Sequence, residues 1–216
     1  CFSRELNPMA GSGVNTLKVK EYLRMARTYL PGWGQDMADR LIREFGLDEK
    51  KRISKLSKGM MSMVTVIVAL ASKARFTFLD EPVAGLDVVA RERFYRILLD
   101  EFTQTGRTFV ISTHIIEEAA DLFEEVIVVD KGRILLKENT QELLERACHI
   151  SGLEEKVDEA VGSLPVFGQE RLGRSKGVTV FLEPGQAIPE STEVTVQRLS
   201  LQKIFVALCG EEETHE

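Results

Sequence analysis

Apolar residues recur along this chain with two different periods, and the changes of period mark out its elements. From Leu17 to Leu30 they fall at Leu17, Tyr22, Leu23, Ala26, Tyr29 and Leu30, which places them on one face of a helix. Pro31-Gly32-Trp33-Gly34 breaks that helix. A second helix follows, with Met37, Leu41, Ile42 and Phe45 on one face and Gly46 as its stop. A charged turn, Asp48 to Arg52, leads through "ISKLSKGM" into an apolar helix over residues 60–72. At "FTFLD" (76–80) the pattern becomes that of a buried strand.

Helical spacing resumes from Arg91 to Thr103 through Phe94, Ile97, Leu98 and Phe102. "GRTFVISTH" then predicts a strand, "IIEEAADLFEE" a helix, and "VIVVD" and "RILLK" two further strands. Lys131-Gly132 between these last two predicts a hairpin at the edge of the sheet. Strands that alternate with helices, each nearly continuous in apolar residues, imply an α/β domain with a mostly parallel sheet. Beyond Asn139 the expectation is a helix, an irregular stretch containing glycine, strands at "VTVFLE" and "TEVTVQ", and a last helix from Leu201. Residues 1–16, with "NPMAGSGVNT", suit an exposed loop. The expected divisions are 1–16, a helical subdomain at 17–75, a core part at 76–150 and a small C-terminal α+β appendage at 151–216.

Composition narrows the function classes. A length of 216 residues suits one domain, or one with an appendage. The net charge of −6 disfavours nucleic acid as a main partner, because backbone binding needs a concentrated basic face. Cys1, Cys148 and Cys209 lie far apart with no zinc-ligand or redox spacing, which suits a reducing cytoplasm. The apolar stretch Met60–Ala71 is too short to span a bilayer. The first residue is cysteine, and the chain is therefore expected to start inside a longer protein.

The candidate chemistry sits at strand ends. "FTFLDEPVAGLD" (76–87) closes an apolar strand with two adjacent carboxylates, Asp80 and Glu81. Ligands of open α/β sheets bind outside the carboxyl ends of the strands. Two neighbouring carboxylates repel unless a cation or a shared proton relieves them. Magnesium near Asp80, with Glu81 free to accept a proton from water, is one solution. An isolated Asp-Glu-Pro is usually an acidic turn, so the surrounding residues decide. The "TFVIST" strand brings His114 to the same edge, and "LSKG" (56–59) offers a hydroxyl, a glycine and free N–H groups at a helix start, an anion-binding arrangement.

In this order and at these distances the pieces resemble the nucleotide-binding subunit of an ABC (ATP-binding cassette) transporter, of the bacterial exporter type with a separate permease. "LSKGM" (56–60) is similar to the ABC signature, "FTFLDEP" (76–82) to Walker B with its glutamate, "AGLD" (84–87) to the D-loop and "STH" (112–114) to the switch-histidine loop. The segment "EYLRMARTYLPGWGQDMADRLIREFGLDEKKRISKLSKGM" resembles the family's helical subdomain, and "LSLQKIFVALCGEEE" its tail. The resemblance implies ATP and Mg2+ as ligands. It implies magnesium at Asp80, a water polarised by Glu81 and a γ-phosphate contact from His114. Ser57, Lys58 and Gly59 would face the ATP held by a second ATP-binding subunit, and Asp87 would cross that interface. The implied place is the cytoplasmic face of the cell membrane, against an integral permease.

Departures accompany the likeness. Lys58, Met60 and Met63 replace the family's usual glycine, glutamine and arginine, and Val83-Ala84 replaces Thr-Ser or Thr-Ala. No G-x-x-x-x-G-K-[ST] occurs; "GSGVNT" (11–16) lacks the lysine and follows no strand. "CFSRE" is similar to the strand that enters the Q-loop, without its glutamine. The expected fold is thus an incomplete P-loop NTPase core of the ABC type, and this chain alone is expected to bind ATP weakly and not turn it over. The alternatives are a non-catalytic or regulatory ABC-type module and a soluble ABC protein outside transport.

Overall fold

The computed structural model describes residues 2–3, 13–183, 186, 188 and 193–210. Most of the Q-loop-like segment therefore lies outside the described residues. The chain divides into two compact units, Cys1–Ile115 and Ile116–Glu216.

In the first unit, strand β1 (Phe2–Ser3) is followed by helices α1 (Val19–Tyr29), α2 (Gln35–Phe45) and α3 (Lys58–Ala71), then strand β2 (Phe76–Asp80), helix α4 (Val88–Thr105) and strand β3 (Thr108–Ser112). The predicted stops hold for physical reasons. Gly46 takes φ +60°, which a glycine adopts without strain, and its N–H returns to the Arg43 carbonyl. The Ser57 hydroxyl accepts the Met60 N–H at 3.2 Å and so caps α3. Helix α3 is buried almost all round, through Met61, Val64, Val66, Ile67, Ala69 and Leu70, and packs between α2 and β2. That explains its continuous apolar run. Among the described residues, no helix is long and apolar enough to cross a membrane.

Strands β1, β2 and β3 form a parallel sheet in that order. Helix α4 makes the crossover from β2 to β3, as parallel pairing requires. The strands are less symmetrically buried than their composition implies. Thr77 and Leu79 are sealed beneath the helices, while Phe76, Phe78 and Val110 are exposed. Continuous apolar runs hide this difference, because they carry no alternation to mark a face.

The second unit opens with a correction. "IIEEAADLFEE" forms turns and one short 3-10 segment, Ala120–Leu122, instead of an α-helix. The Thr113 hydroxyl accepts the Ile115 N–H, two residues on, and favours a local turn over a helix cap. Asp121, Glu124 and Glu125 would also crowd the helix C-terminus, where acids are unfavourable. Strands β4 (Glu125–Asp130) and β5 (Arg133–Asn139) then form the predicted hairpin. Lys131 and Gly132 take φ +46° and +76°, the two positive values that this tight turn demands. Among the described residues the hairpin pairs only with itself and does not extend the parallel sheet. The two-residue turn fixes its internal register but says nothing about which edge it joins.

Asn139 caps α5 (Thr140–Arg146) by accepting the Gln141 and Glu142 N–H groups. The stretch expected to be irregular contains strand β6 (Ala147–Leu153), helix α6 (Glu154–Val161) and strand β7 (Val166–Leu172). Strands β8 (Ser175–Phe181) and β9 (Val194–Arg198) and helix α7 (Leu201–Cys209) complete the unit. The antiparallel sheet runs β7-β8-β6-β9. The expected division at 150/151 falls inside β6, whose Cys148 and Ile150 are buried with Val157, Val178 and Val180.

One buried polar group organises the first unit. Arg107, at the entrance to β3, forms a 2.6 Å ion pair with Glu101 near the end of α4, and both side chains are almost wholly buried. It also donates to the Ala74 carbonyl (2.9 Å), the Leu70 carbonyl (3.2 Å) and the Thr77 hydroxyl (3.3 Å). The guanidinium thereby joins α3, α4, β2 and β3 with most of its N–H groups satisfied. Arg107→Met strands the Glu101 carboxylate in the core, and a loss of about 3–5 kcal/mol is expected in urea unfolding. The double variant with Glu101→Leu should recover much of that loss, since a matched apolar pair leaves no buried charge unpaired.

Candidate functional site

The site begins where β2 and β3 end together. Asp80 stands opposite Ser112 in the parallel register, and the Ser112 hydroxyl donates to Asp80 Oδ1. The pairing continues one residue further, with the Glu81 N–H donating to the Ser112 carbonyl at 2.9 Å. At Glu81 the chain leaves the strand with φ +44°. A residue with a Cβ pays about 1–2 kcal/mol for that conformation, so the surroundings must hold it there. They do so at three points. The backbone N–H is tied to β3, the carbonyl accepts the Ala84 N–H at 3.1 Å, and the carboxylate is tied to His114.

His114 makes that last tie twice. Its backbone N–H donates to Glu81 Oε1 at 3.2 Å, and its ring Nδ1 lies 2.7 Å from the same oxygen. The imidazole is 76% exposed, against 33% for the glutamate side chain. The other carboxylate oxygen, Oε2, is buried and has no hydrogen-bond partner among the described residues. A buried carboxylate oxygen without a donor is costly, and a water or hydroxyl placed against it would complete the group. Glu81 and His114, singled out separately in the sequence, thus touch, and Asp80 ends the same strand with Ser112 as its partner. Among the described residues, no group of three or more His, Cys, Asp or Glu side chains is placed to hold a metal ion by itself. With one carboxylate oxygen anchored by His114 and the other buried without a donor, Glu81 has room in its bonding for one water. Any magnesium here would draw most of its ligands from water and phosphate oxygens, as that ion commonly does.

Ser57, Lys58 and Gly59 form a second cluster at the start of α3. Ser57 and Lys58 are exposed, whereas Gly59 is buried. A Cβ at Gly59 would be driven into the Gly85 carbonyl oxygen, and one at Gly85 would lie 3.1 Å from the Gly59 nitrogen. The helix start and the Val83–Asp87 loop therefore touch backbone to backbone, and only glycine permits it. A helix start with an exposed lysine beside it suits an anion, although the Met60 N–H is already taken by Ser57 and Gly59 is buried. Asp87 caps α4, its Oδ1 accepting the Ala90 N–H at 2.9 Å, and its side chain remains at the surface.

Two participants escaped the sequence reading. Ser112 holds Asp80 from the neighbouring strand, a contact that only strand register reveals. Ser62 lies inside α3 and donates its hydroxyl to the Ala84 carbonyl at 2.8 Å. Its one signal was a polar residue within an apolar helix.

Residues 16–120 match a family model described as "AAA domain, putative AbiEii toxin, Type IV TA system". The chain is 27% identical over 195 residues to the doxorubicin resistance ATP-binding protein DrrA of Mycobacterium tuberculosis, covering 79% of this chain and 59% of that protein. It is 36% identical over 100 residues to the taurine import ATP-binding protein TauB of Burkholderia thailandensis, covering 45% of this chain and 38% of that protein. It thus spans between 38% and 59% of the length of these two relatives. Among solved structures, an ATP-binding subunit of an ABC transporter superimposes with TM-score 0.56 at 24% identity, over 67% of this chain and 61% of that one. A dimeric ATP-binding cassette in a post-hydrolysis state, bound to ADP and Pi, gives TM-score 0.54 at 20% identity, over 64% and 62%. The fold is therefore that of the ABC ATPase cassette, an α/β P-loop NTPase fold.

The glycine contact yields a direct check. Gly59→Ala should lower stability by about 1–3 kcal/mol in chemical denaturation, the usual cost of overpacking. The cost arises because the obstructing atom is a backbone carbonyl that cannot swing away.

Proposed function

Because the chain is a relative of the ATP-binding subunits of ABC transporters, we propose that it supplies the hydrolytic and signature residues of a transport ATPase. ATP hydrolysis by two such subunits, arranged head to tail, drives a separate integral permease at the cytoplasmic face of the membrane. The observation that carries this reading is the divided Glu81 carboxylate. One oxygen is held by His114 while the other is buried and open, at the strand edge that also presents Asp80.

Each residue has a task. Glu81 Oε2 accepts a hydrogen bond from the attacking water and takes up its proton. His114 orients the carboxylate through Nδ1 and its backbone N–H, and its exposed ring presents Nε2 to the γ-phosphate. Asp80, steadied by Ser112, is the residue that would hold magnesium, through its water shell. Magnesium, when bound with ATP, supplies neutralisation of the phosphate charge. Ser57, Lys58 and Gly59 offer N–H groups and positive charge to the γ-phosphate of the ATP bound by the second subunit. Asp87 faces that subunit at the D-loop. Catalysis of this kind rests on positioning and electrostatics, for which the three ties on Glu81 are suited.

Two outcomes test the reading. This chain alone binds Mg-ATP weakly and releases no phosphate, because its 216 residues contain no G-x-x-x-x-G-K-[ST]. In any chain that carries these residues and does release phosphate from ATP, Glu81→Gln lowers that release by about 10²-fold or more while Mg-ATP still binds. Release indifferent to Glu81→Gln contradicts the role of Glu81. Release by the 216-residue chain that Glu81→Gln abolishes places a phosphate cradle within these residues and contradicts the first outcome.

A further inference from the structure

Three hydroxyls sit in or at the end of α3, and they behave differently. Thr65 turns back along its own helix to the Ser62 carbonyl at 2.8 Å, and Ser72 does the same to Ala69 at 2.6 Å. That is the ordinary resting place of a helical hydroxyl. Ser62, which is buried, instead points out of the helix and donates to the Ala84 carbonyl at 2.8 Å. Ala84 in turn donates its N–H to the Glu81 carbonyl at 3.1 Å. One peptide residue thus receives a hydrogen bond from α3 and passes one to Glu81, the residue held at φ +44°.

We propose that Ser62 is a positioning residue for Glu81, acting through Ala84, and that it couples the start of α3 to the Glu81 carboxylate. The role assumes Glu81 is the base of the proposed ATPase. The loop between them has little room for other adjustments. Val83 and Leu86 are buried, the Leu86 N–H closes a turn on the Val83 carbonyl at 3.1 Å, and Gly85 is pressed against Gly59. A displacement of Ser57–Gly59 by an anion would therefore reach the Val83–Leu86 turn as a unit. The Ser62 bond is the polar link in that contact, and Ala84 relays it to the backbone whose torsion sets the Glu81 side chain. No step of bond-making is involved; the effect is geometric.

The test uses the 216-residue chain and two variants, Ser62→Ala and Ser62→Thr. The readouts are hydrogen exchange at the Ala84 amide and the 15N signal of His114 Nδ1, which reports the contact with Glu81. Ser62→Ala should speed Ala84 exchange by roughly five- to tenfold and displace the His114 signal. Ser62→Thr keeps the hydroxyl and should restore both. A general loss of stability would instead speed exchange across α3 and α4 alike. Unchanged Ala84 exchange and His114 signal in Ser62→Ala overturns the proposal, as does a threonine variant that behaves like alanine. Neither readout requires turnover, so failure of the ATPase reading would show separately, as phosphate release indifferent to Glu81→Gln.

Discussion

Everything at the site depends on the register of β2 against β3. Asp80 meets Ser112, and the extra bond from the Glu81 N–H to the Ser112 carbonyl ends the strand where His114 can reach back. A slip of one residue would send each side chain to the opposite face and separate the cluster. Arg107 guards the register from the other end. It lies one residue before β3 and binds the Ala74 carbonyl and Thr77 hydroxyl at the start of β2. A buried ion pair is a doubtful source of net stability but a credible source of specificity. Here it ties two helices and two strands into one alignment, with the chemistry at the far ends of those strands.

The second constraint is local strain at Glu81. A non-glycine residue at positive φ persists only where its neighbours over-determine it. Glu81 has ties to Ser112, Ala84 and His114, and two of them act on its backbone. The turn takes Glu81 out of the alternation of the strand, and its carboxylate meets His114. The same turn carries the chain to Gly85, where close approach to Gly59 joins the strand end to the helix that begins with Ser57. Strand register, strained turn and glycine contact therefore form one continuous arrangement.

Much of this was legible in the sequence, and what was missed has physical causes. Helices α2 and α3, strand β2 and the Lys131-Gly132 hairpin are specified by local signals: Gly46, Ser57, an apolar run ending in acids, and a turn requiring two positive φ values. Asp80, Glu81 and His114 were legible as separate residues, and their motifs supplied the likeness to ABC cassettes. The partnerships of Ser112 with Asp80 and of Ser62 with Ala84 were not, since both depend on long-range pairing. The helix expected over 115–125 failed because its acidic end and the Thr113 turn outweighed its apolar spacing. Strand β6 was overlooked because His149, Ser151 and Gly152 interrupt its composition, although Cys148 and Ile150 alternate as a central strand should.

A site for a metal-bound nucleoside triphosphate at the ends of β2 and β3 can be located without turnover. Mn2+ in place of Mg2+ broadens the NMR signals of nearby amides even when binding is weak. Titration of this chain with Mn-ATP should broaden Asp80, Glu81 and Ser112 to His114 first, with Arg75 and Arg107 at the opposite end of β2 and β3 less affected. Broadening that is absent there, or centred elsewhere on the chain, would mean that the ends of β2 and β3 do not bind the metal–nucleotide.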